Sequence, residues 1–390
     1  MLAYFSILGV LILGVTIEQI NQNKRIRENY FLFSLLLLIL FFGFRGYIGY
    51  DWYSYKPNFD NLSFFPLNEL IKNRDFEIGF QLYTSFIKLI FNNYFVYNFI
   101  NVLIDFIILF IVIKRYSKYP LLSLLLFFGI YGTALEIDLI RNAKSIMLFL
   151  LSIEYIEKRE PFKFFALNIL GILFHFSSIL YLPMYFILKI KWNKNFILLL
   201  FILGNIYYLL NLRLMINFLK DLHLIYPGIL GNKLSGYFSI IPSDFPLGFS
   251  LYYFERIILF MLVWLVDDFF KSKKYGTIMS NSIYISIFFF LYFSEFSIVS
   301  MRFSLLFIFS YWLIFPMLLE LYPKLPILII AIIFSLFRLN NQINFIGNRE
   351  VYSYQNILIN YDSMEIQKKK IEEASKYKIL GHGKEISLLF

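Results

Sequence analysis

A chain of 390 residues that is 59% hydrophobic and 21% aromatic, with 16% charged residues and a mean hydropathy of +0.67, lies outside the range of water-soluble domains. Its net charge of +10 sits in short Lys/Arg clusters between apolar runs, the pattern of membrane topology signals and not of nucleic-acid binding. The absence of cysteine removes disulfides, thiol nucleophiles and thiolate metal sites together.

The apolar runs approach the ~20 residues that cross hydrocarbon, so the chain reads as all-α and polytopic. "MLAYFSILGVLILGVTIEQI" lacks a basic leader and a cleavage site and reads as a retained first span. "NKRIREN" (23–29) is the first basic cluster; kept in the cytoplasm, it sends residues 30–45 outward. "FRGYIGYDWYSYKPNF" (44–59) then emerges outside in a loop over 46–76. Reaching the next inside cluster, "KRYSKY" (114–119), needs an odd number of crossings, and 95–113 supplies one. The stretch 77–93, with Glu77, Gln81 and Lys88 among apolar residues at helical spacing, is therefore expected to lie in the outer interface. Residues 120–136 go out and 141–157 return to "EKREPFK" (157–163).

The segment 163–188 is flanked by inside clusters on both sides. Two arms of about 12 residues rise only ~18 Å as helix, short of the ~30 Å core. A re-entrant hairpin with His175 near its apex and Pro183 bending the return arm fits this, and a single crossing is the alternative. Spans at 196–212, 251–267, 278–294, 303–320 and 325–337 bring the expected total to about ten, with 213–250 an external loop able to cover a site. One transmembrane domain over 1–338 and a polar tail over 339–390 result. The count leaves the tail outside, whereas its "KKKIEEASKYK" argues for the inside.

This threading puts Arg45, Arg141, Arg302 and Arg338 at outer helix ends, against the positive-inside rule. Each costs about 2.5 kcal/mol or more at depth. Asp51, Glu77, Glu136, Asp138 and Glu295 offer structural ion pairs; as a group the arginines also suit a pyrophosphate, which guanidinium forks grip bidentately. Tyr47, Tyr50, Trp52, Tyr53 and Tyr55 offer flat faces to pyranose rings, or form an ordinary aromatic belt, and Asp51 can accept from a sugar hydroxyl. His175, followed by Ser177 and Ser178, is the one histidine inside an apolar segment. It is either a packing residue or a general base near neutral pH. No histidine pair has metal-ligand spacing and no G-x-S-x-G elbow occurs, so neither a metal nor a cofactor is expected.

Five stretches resemble, in order, the motifs of the EpsG-like family of bacterial exopolysaccharide and capsule polymerases, counterparts of Wzy. "FRGYIGYDWYSY" is similar to an "R…G-T-D…Y" opening, "DFEIGFQLYTSFIK" to "E-P-G-F", and "DLIRNAKSIMLFLLSIEYIEKREPFKFF" to an "I-R-Q…A" helix and basic turn. "LFHFSSILYLPMYFIL" is similar to "F-H-x-S-A-L…L-P", and "SMRFSLLFIFSYWLIFP" to an "R-[IL]-x-x-Y" span. Tyr50, Ile78 and Asn142 depart from these patterns, and Ala143 and Lys144 stand where the family is mostly apolar.

The resemblance implies a GT-C-like membrane glycosyltransferase of the inner membrane. Its donor and acceptor would be oligosaccharide repeat units on polyprenyl pyrophosphate, joined at the outer face beside membrane lipid, with a flippase and a chain-length regulator as pathway partners. By the same resemblance Arg45, Arg141 and Arg302 bind pyrophosphate, and His175, Asp51 and Glu77 are the catalytic candidates. His175 is favoured as base, with Asp51 orienting the acceptor; Tyr55, Trp52 and Arg338 complete the expected substrate contacts. A flippase for the same lipid, a ligase using the same donor, and a structural subunit of an export complex are the alternatives.

Overall fold

The computed structural model describes residues 1–63, 76–212, 214, 248–345 and 347–380. Most of the expected cover loop, 213–250, and residues 64–75 of the first external loop lie outside these. The described residues are helical, with only isolated bridges between extended segments. In chain order the helices are α1 (Leu2–Ile20), α2 (Lys24–Gly43), α3 (Trp52–Asn61), α4 (Ile78–Ile90), α5 (Tyr94–Tyr116), α6 (Pro120–Phe127), α7 (Thr133–Ile137), α8 (Ile140–Lys158), α9 (Pro161–Phe174) and α10 (Met184–Ile187). They continue with α11 (Lys194–Leu209), α12 (Leu251–Leu265), α13 (Asp267–Ser272), α14 (Gly276–Tyr292), α15 (Ser297–Leu306), α16 (Phe309–Leu318), α17 (Lys324–Asn344), α18 (Asn348–Val351) and α19 (Met364–Leu380).

Helix starts follow local chemistry. Asn23 and Asn93 accept hydrogen bonds from the first-turn amides of α2 and α5, and Pro120 and Pro161 open α6 and α9 where a missing N–H does no harm. Arg159, with φ of 60°, turns the chain sharply from α8 into α9.

Five helical runs are long and apolar enough to cross a membrane: α1, α2, α5, Pro120–Ile137 and α17. The count is six if Val299–Leu306 and Phe309–Leu318 form one bent span. Other expected crossings fall on helices of 16, 15 and 17 residues (α11, α12 and α14). At 1.5 Å per residue these rise only about 22–26 Å. α8 has 19 residues but carries Arg141, Lys144, Glu154, Glu157 and Lys158.

The chain divides into two compact units, one of Met1–Ile187 with Tyr311–Ile379 and one built on Leu188–Ser310. Within the first, one end carries the basic clusters and their partners: Lys114 pairs with Glu28 (3.2 Å), Arg115 with Glu154 (2.5 Å) and Lys118 with Glu320 (2.7 Å). The helices leaving that end run to segment 44–51, Asp138, His175 and the residues after α17. Those last residues are not a detached tail: 347–362 pack against segment 44–51. Within the second unit, α12, α14 and α11 build their own layer, with the Phe201 and Phe260 rings stacked at 3.6 Å.

Candidate active site

Glu77 precedes α4 in extended conformation, and its carboxylate does not cap the helix. It reaches instead to two other elements. Oε2 accepts from Arg141 Nη1 at 2.5 Å; Oε1 lies 3.0 Å from His175 Nδ1 and accepts from the Phe176 amide at 3.1 Å. Three segments far apart in sequence therefore meet on one carboxylate. Burial would raise the Glu77 carboxyl, but the His175 hydrogen bond, the Arg141 charge and the Phe176 amide outweigh it and hold it at about 2. Glu77 is thus ionised at neutral pH.

The approach is set by a glycine. A Cβ on Gly79 would fall 2.6 Å from that of Leu173 and 2.7 Å from its carbonyl oxygen, so only glycine lets α4 lie against the end of α9. His175 ends α9 in extended conformation, and a 3-10 turn, Phe176–Tyr181, follows at once. Ser178 fixes that turn by donating its hydroxyl to the His175 carbonyl at 2.7 Å. Because the ionised Glu77 carboxylate only accepts, Nδ1 donates to it, which leaves Nε2 as the ring nitrogen free for a substrate.

Arg141 occupies the first turn of α8, with its guanidinium 4.8 Å from the centre of the Phe76 ring. The guanidinium also lies in the electrostatic reach of the Tyr55 hydroxyl, and Tyr55 donates to Asp51 Oδ2 at 3.3 Å. Burial, with the Asp51 charge adding to it, pushes the Tyr55 phenol up, so it stays a protonated donor. Arg141 Nε is buried and finds no acceptor among the described residues. Asp51, Tyr55, Arg141, Glu77 and His175 thus form one connected network over an aromatic floor of Phe59, Phe80, Tyr94 and Tyr97.

Residues 28–356 match the model of the EpsG family, most of the chain. The chain belongs to the EpsG family. No curated protein and no solved structure matches it. The EpsG match takes in the whole network and runs on to Asn356, which bridges Arg45 from beyond the last span.

Other residues expected at the site have different surroundings in this EpsG chain. Arg45 is 3% exposed, donates to the Phe42 carbonyl at 2.7 Å, and lies in the field of Glu136 and Asp138. Arg45 and Arg141 both lie within electrostatic reach of Tyr97. Arg338 is buried with its guanidinium 5.4 Å from the Tyr131 ring centre. Trp52 is buried and packs on Tyr47 at 4.8 Å; among the rings of the motif it is Tyr53 that is exposed. Arg302 lies exposed on α15 of the second unit.

Two residues named in the sequence take roles that the sequence did not assign. Asp138 is a hub: Oδ1 accepts from the amides of Tyr50 (2.7 Å) and Asp51 (3.2 Å), and Oδ2 from the Tyr352 hydroxyl. Gly49, at φ of +84°, makes this possible, since a Cβ there would lie 2.1 Å from Asp138 Oδ1. The second is a sealed pair, Lys144 to Asp105 at 2.6 Å. Asn98, Asn101 and Asp105, spaced three and four apart, gave a readable polar face on an apolar helix.

Proposed function

We propose that this EpsG-family chain is a polysaccharide polymerase that joins oligosaccharide repeat units carried on polyprenyl pyrophosphate, at the outer face of the cytoplasmic membrane. The observation that carries the reading is the ionised Glu77 carboxylate held between Arg141 and His175. Orientation follows from the positive-inside rule. The end with Lys114, Arg115 and Lys118 faces the cytoplasm, and the network faces out. Counting α8, α11, α12 and α14 as crossings gives the ten spans of a GT-C-like arrangement.

In this reading His175 Nε2 takes the proton of the acceptor hydroxyl as its oxygen bonds to the donor's anomeric carbon. The imidazolium that forms is stabilised by Glu77, about 3.0 Å from Nδ1. The bond from that carbon to the pyrophosphate oxygen breaks, and the lipid pyrophosphate leaves as an anion. Arg141 stands beside the base, and the accessible part of its guanidinium supplies positive charge for the leaving group. Glu77 thus orients the base, while Tyr55, anchored on Asp51, lies within electrostatic reach of the guanidinium. Tyr53, the exposed ring of the motif, is a further candidate for a sugar face.

Purified protein incubated with lipid-pyrophosphate repeat units, with products resolved on a gel, tests this. A ladder of longer glycans is expected from the wild type, and only the single unit from Arg141→Ala. Translocation of the lipid without any new glycosidic bond would establish a flippase instead.

A further inference from the structure

The residues after the last membrane span are tied to the motif that precedes the site. Gly46 N donates to the Gln355 carbonyl (3.0 Å), Gly49 N to that of Val351 (3.1 Å), and Ile357 N to that of Phe44 (2.9 Å). The Tyr50 hydroxyl contacts Gly347 O (3.1 Å) and Asn348 Oδ1 (2.8 Å), and Tyr354 stacks on Phe41 at 4.2 Å. The segment also locks itself: Asp362 accepts from Gln355 (2.6 Å), Gln367 (3.0 Å) and Lys370 (2.6 Å). From there α19 lays Met364 and Ile371 on the aromatic floor of the site, and Lys368 over the Tyr53 ring.

These contacts converge on Asp138, which holds the Tyr50 and Asp51 amides with one oxygen and the Tyr352 hydroxyl with the other. Asp138 is also three residues before Arg141. One buried carboxylate therefore registers the loop bearing Asp51, the helix bearing Arg141 and the returning segment. An orphaned amide or phenol here would be costly, so the three move together or not at all.

We infer that Asp138 is a positioning residue, and that residues 347–362 are a brace that sets Asp51 and Tyr55 against Arg141. The inference rests on the polymerase reading for its kinetic consequence but not for its geometry. It also places the brace on the same side of the membrane as the 44–51 motif.

The chain has no cysteine, so an engineered pair is unambiguous. A Cβ on Gly46 would lie 2.9 Å from that of Tyr361 and 3.2 Å from that of Gln355, so the backbone has to ease by a few tenths of an ångström to reach the ~3.8 Å of a disulfide. Mild oxidation of a Gly46→Cys/Gln355→Cys variant of the full chain should give the bridged peptide by mass spectrometry, and Ser117→Cys/Gln355→Cys should give none. In the polymer assay, run well below the melting temperature of every variant, Tyr352→Phe and Asp138→Asn should lower kcat roughly 10- to 100-fold with donor KM within about twofold. A merely structural role would lower the melting temperature and leave kcat in place. A wild type that forms no glycosidic bond overturns the polymerase reading. An active wild type with no bridge, or with Tyr352→Phe kinetically indistinguishable from it, overturns the brace alone.

Discussion

Arg141 and Lys144 stand one turn apart on the same helix, and each meets a carboxylate, yet their surroundings differ. Lys144 is sealed against Asp105, with side chains 5% and 2% exposed, and it also donates to the Asn101 carbonyl at 2.8 Å. Arg141 and Glu77 are 24% and 20% exposed, share the carboxylate with a histidine, and keep a donor unsatisfied. The first arrangement is closed to any ligand and holds α5 to α8. The second is reachable and chemically incomplete. A charge inside a membrane protein therefore has to be read with its partner and its access, because the same helix supplies both kinds.

The largest effect should come from the open network. His175→Ala should slow glycosyl transfer about 10²- to 10⁴-fold, with a smaller change in donor affinity. Arg141→Ala should cost roughly 10²- to 10³-fold and leave single lipid-linked units. Both are read from product ladders over time. Equal losses of turnover and donor binding in His175→Ala would make that ring a packing residue and erase the contrast with Lys144.

The sealed pair should respond in stability instead. Lys144→Ala leaves Asp105 buried and alone, an expected cost of about 3–5 kcal/mol, whereas Lys144→Met with Asp105→Leu should regain most of it. Thermal unfolding in detergent micelles measures both, and the double variant should still polymerise. Loss of polymer from a stable double variant would place this pair in the chemistry.

The smallest expected effect is acid sensitivity. Glu77 is held at about 2 against an ordinary value of 4.5, so its contribution is complete above pH 4.5 and is lost as pH falls through 2. Melting temperatures of the wild type should therefore decline between those limits, and Glu77→Gln should lack that part of the decline.

Much of this arrangement was legible in the sequence for physical reasons. Apolar length announces a helix, so the class and the spans at α1, α2, α5, Pro120–Ile137 and α17 could be read directly. Glu77, Arg141 and His175 stood out because a charge or an imidazole in an oily chain needs a partner. Which partner each has was not legible. The Glu77 contact depends on Gly79 letting α4 against α9, a matter of closeness that composition does not carry. The brace was hidden for a related reason: "NREVYSYQNILINYD" has neither periodicity nor a charge run, and its hold on the motif is made by backbone amides and carbonyls that any sequence possesses. Lys144, a departure from the family pattern, became intelligible only with Asp105 opposite it.

The most direct measurement is single-turnover release of polyprenyl pyrophosphate from a donor unit at neutral pH, comparing the wild type with His175→Ala and Glu77→Gln at saturating acceptor. Stoichiometric release with a new glycosidic bond in the wild type, and a burst slowed at least about 100-fold in both variants, is the expected result. Release at the wild-type rate from either variant would contradict a base held by Glu77.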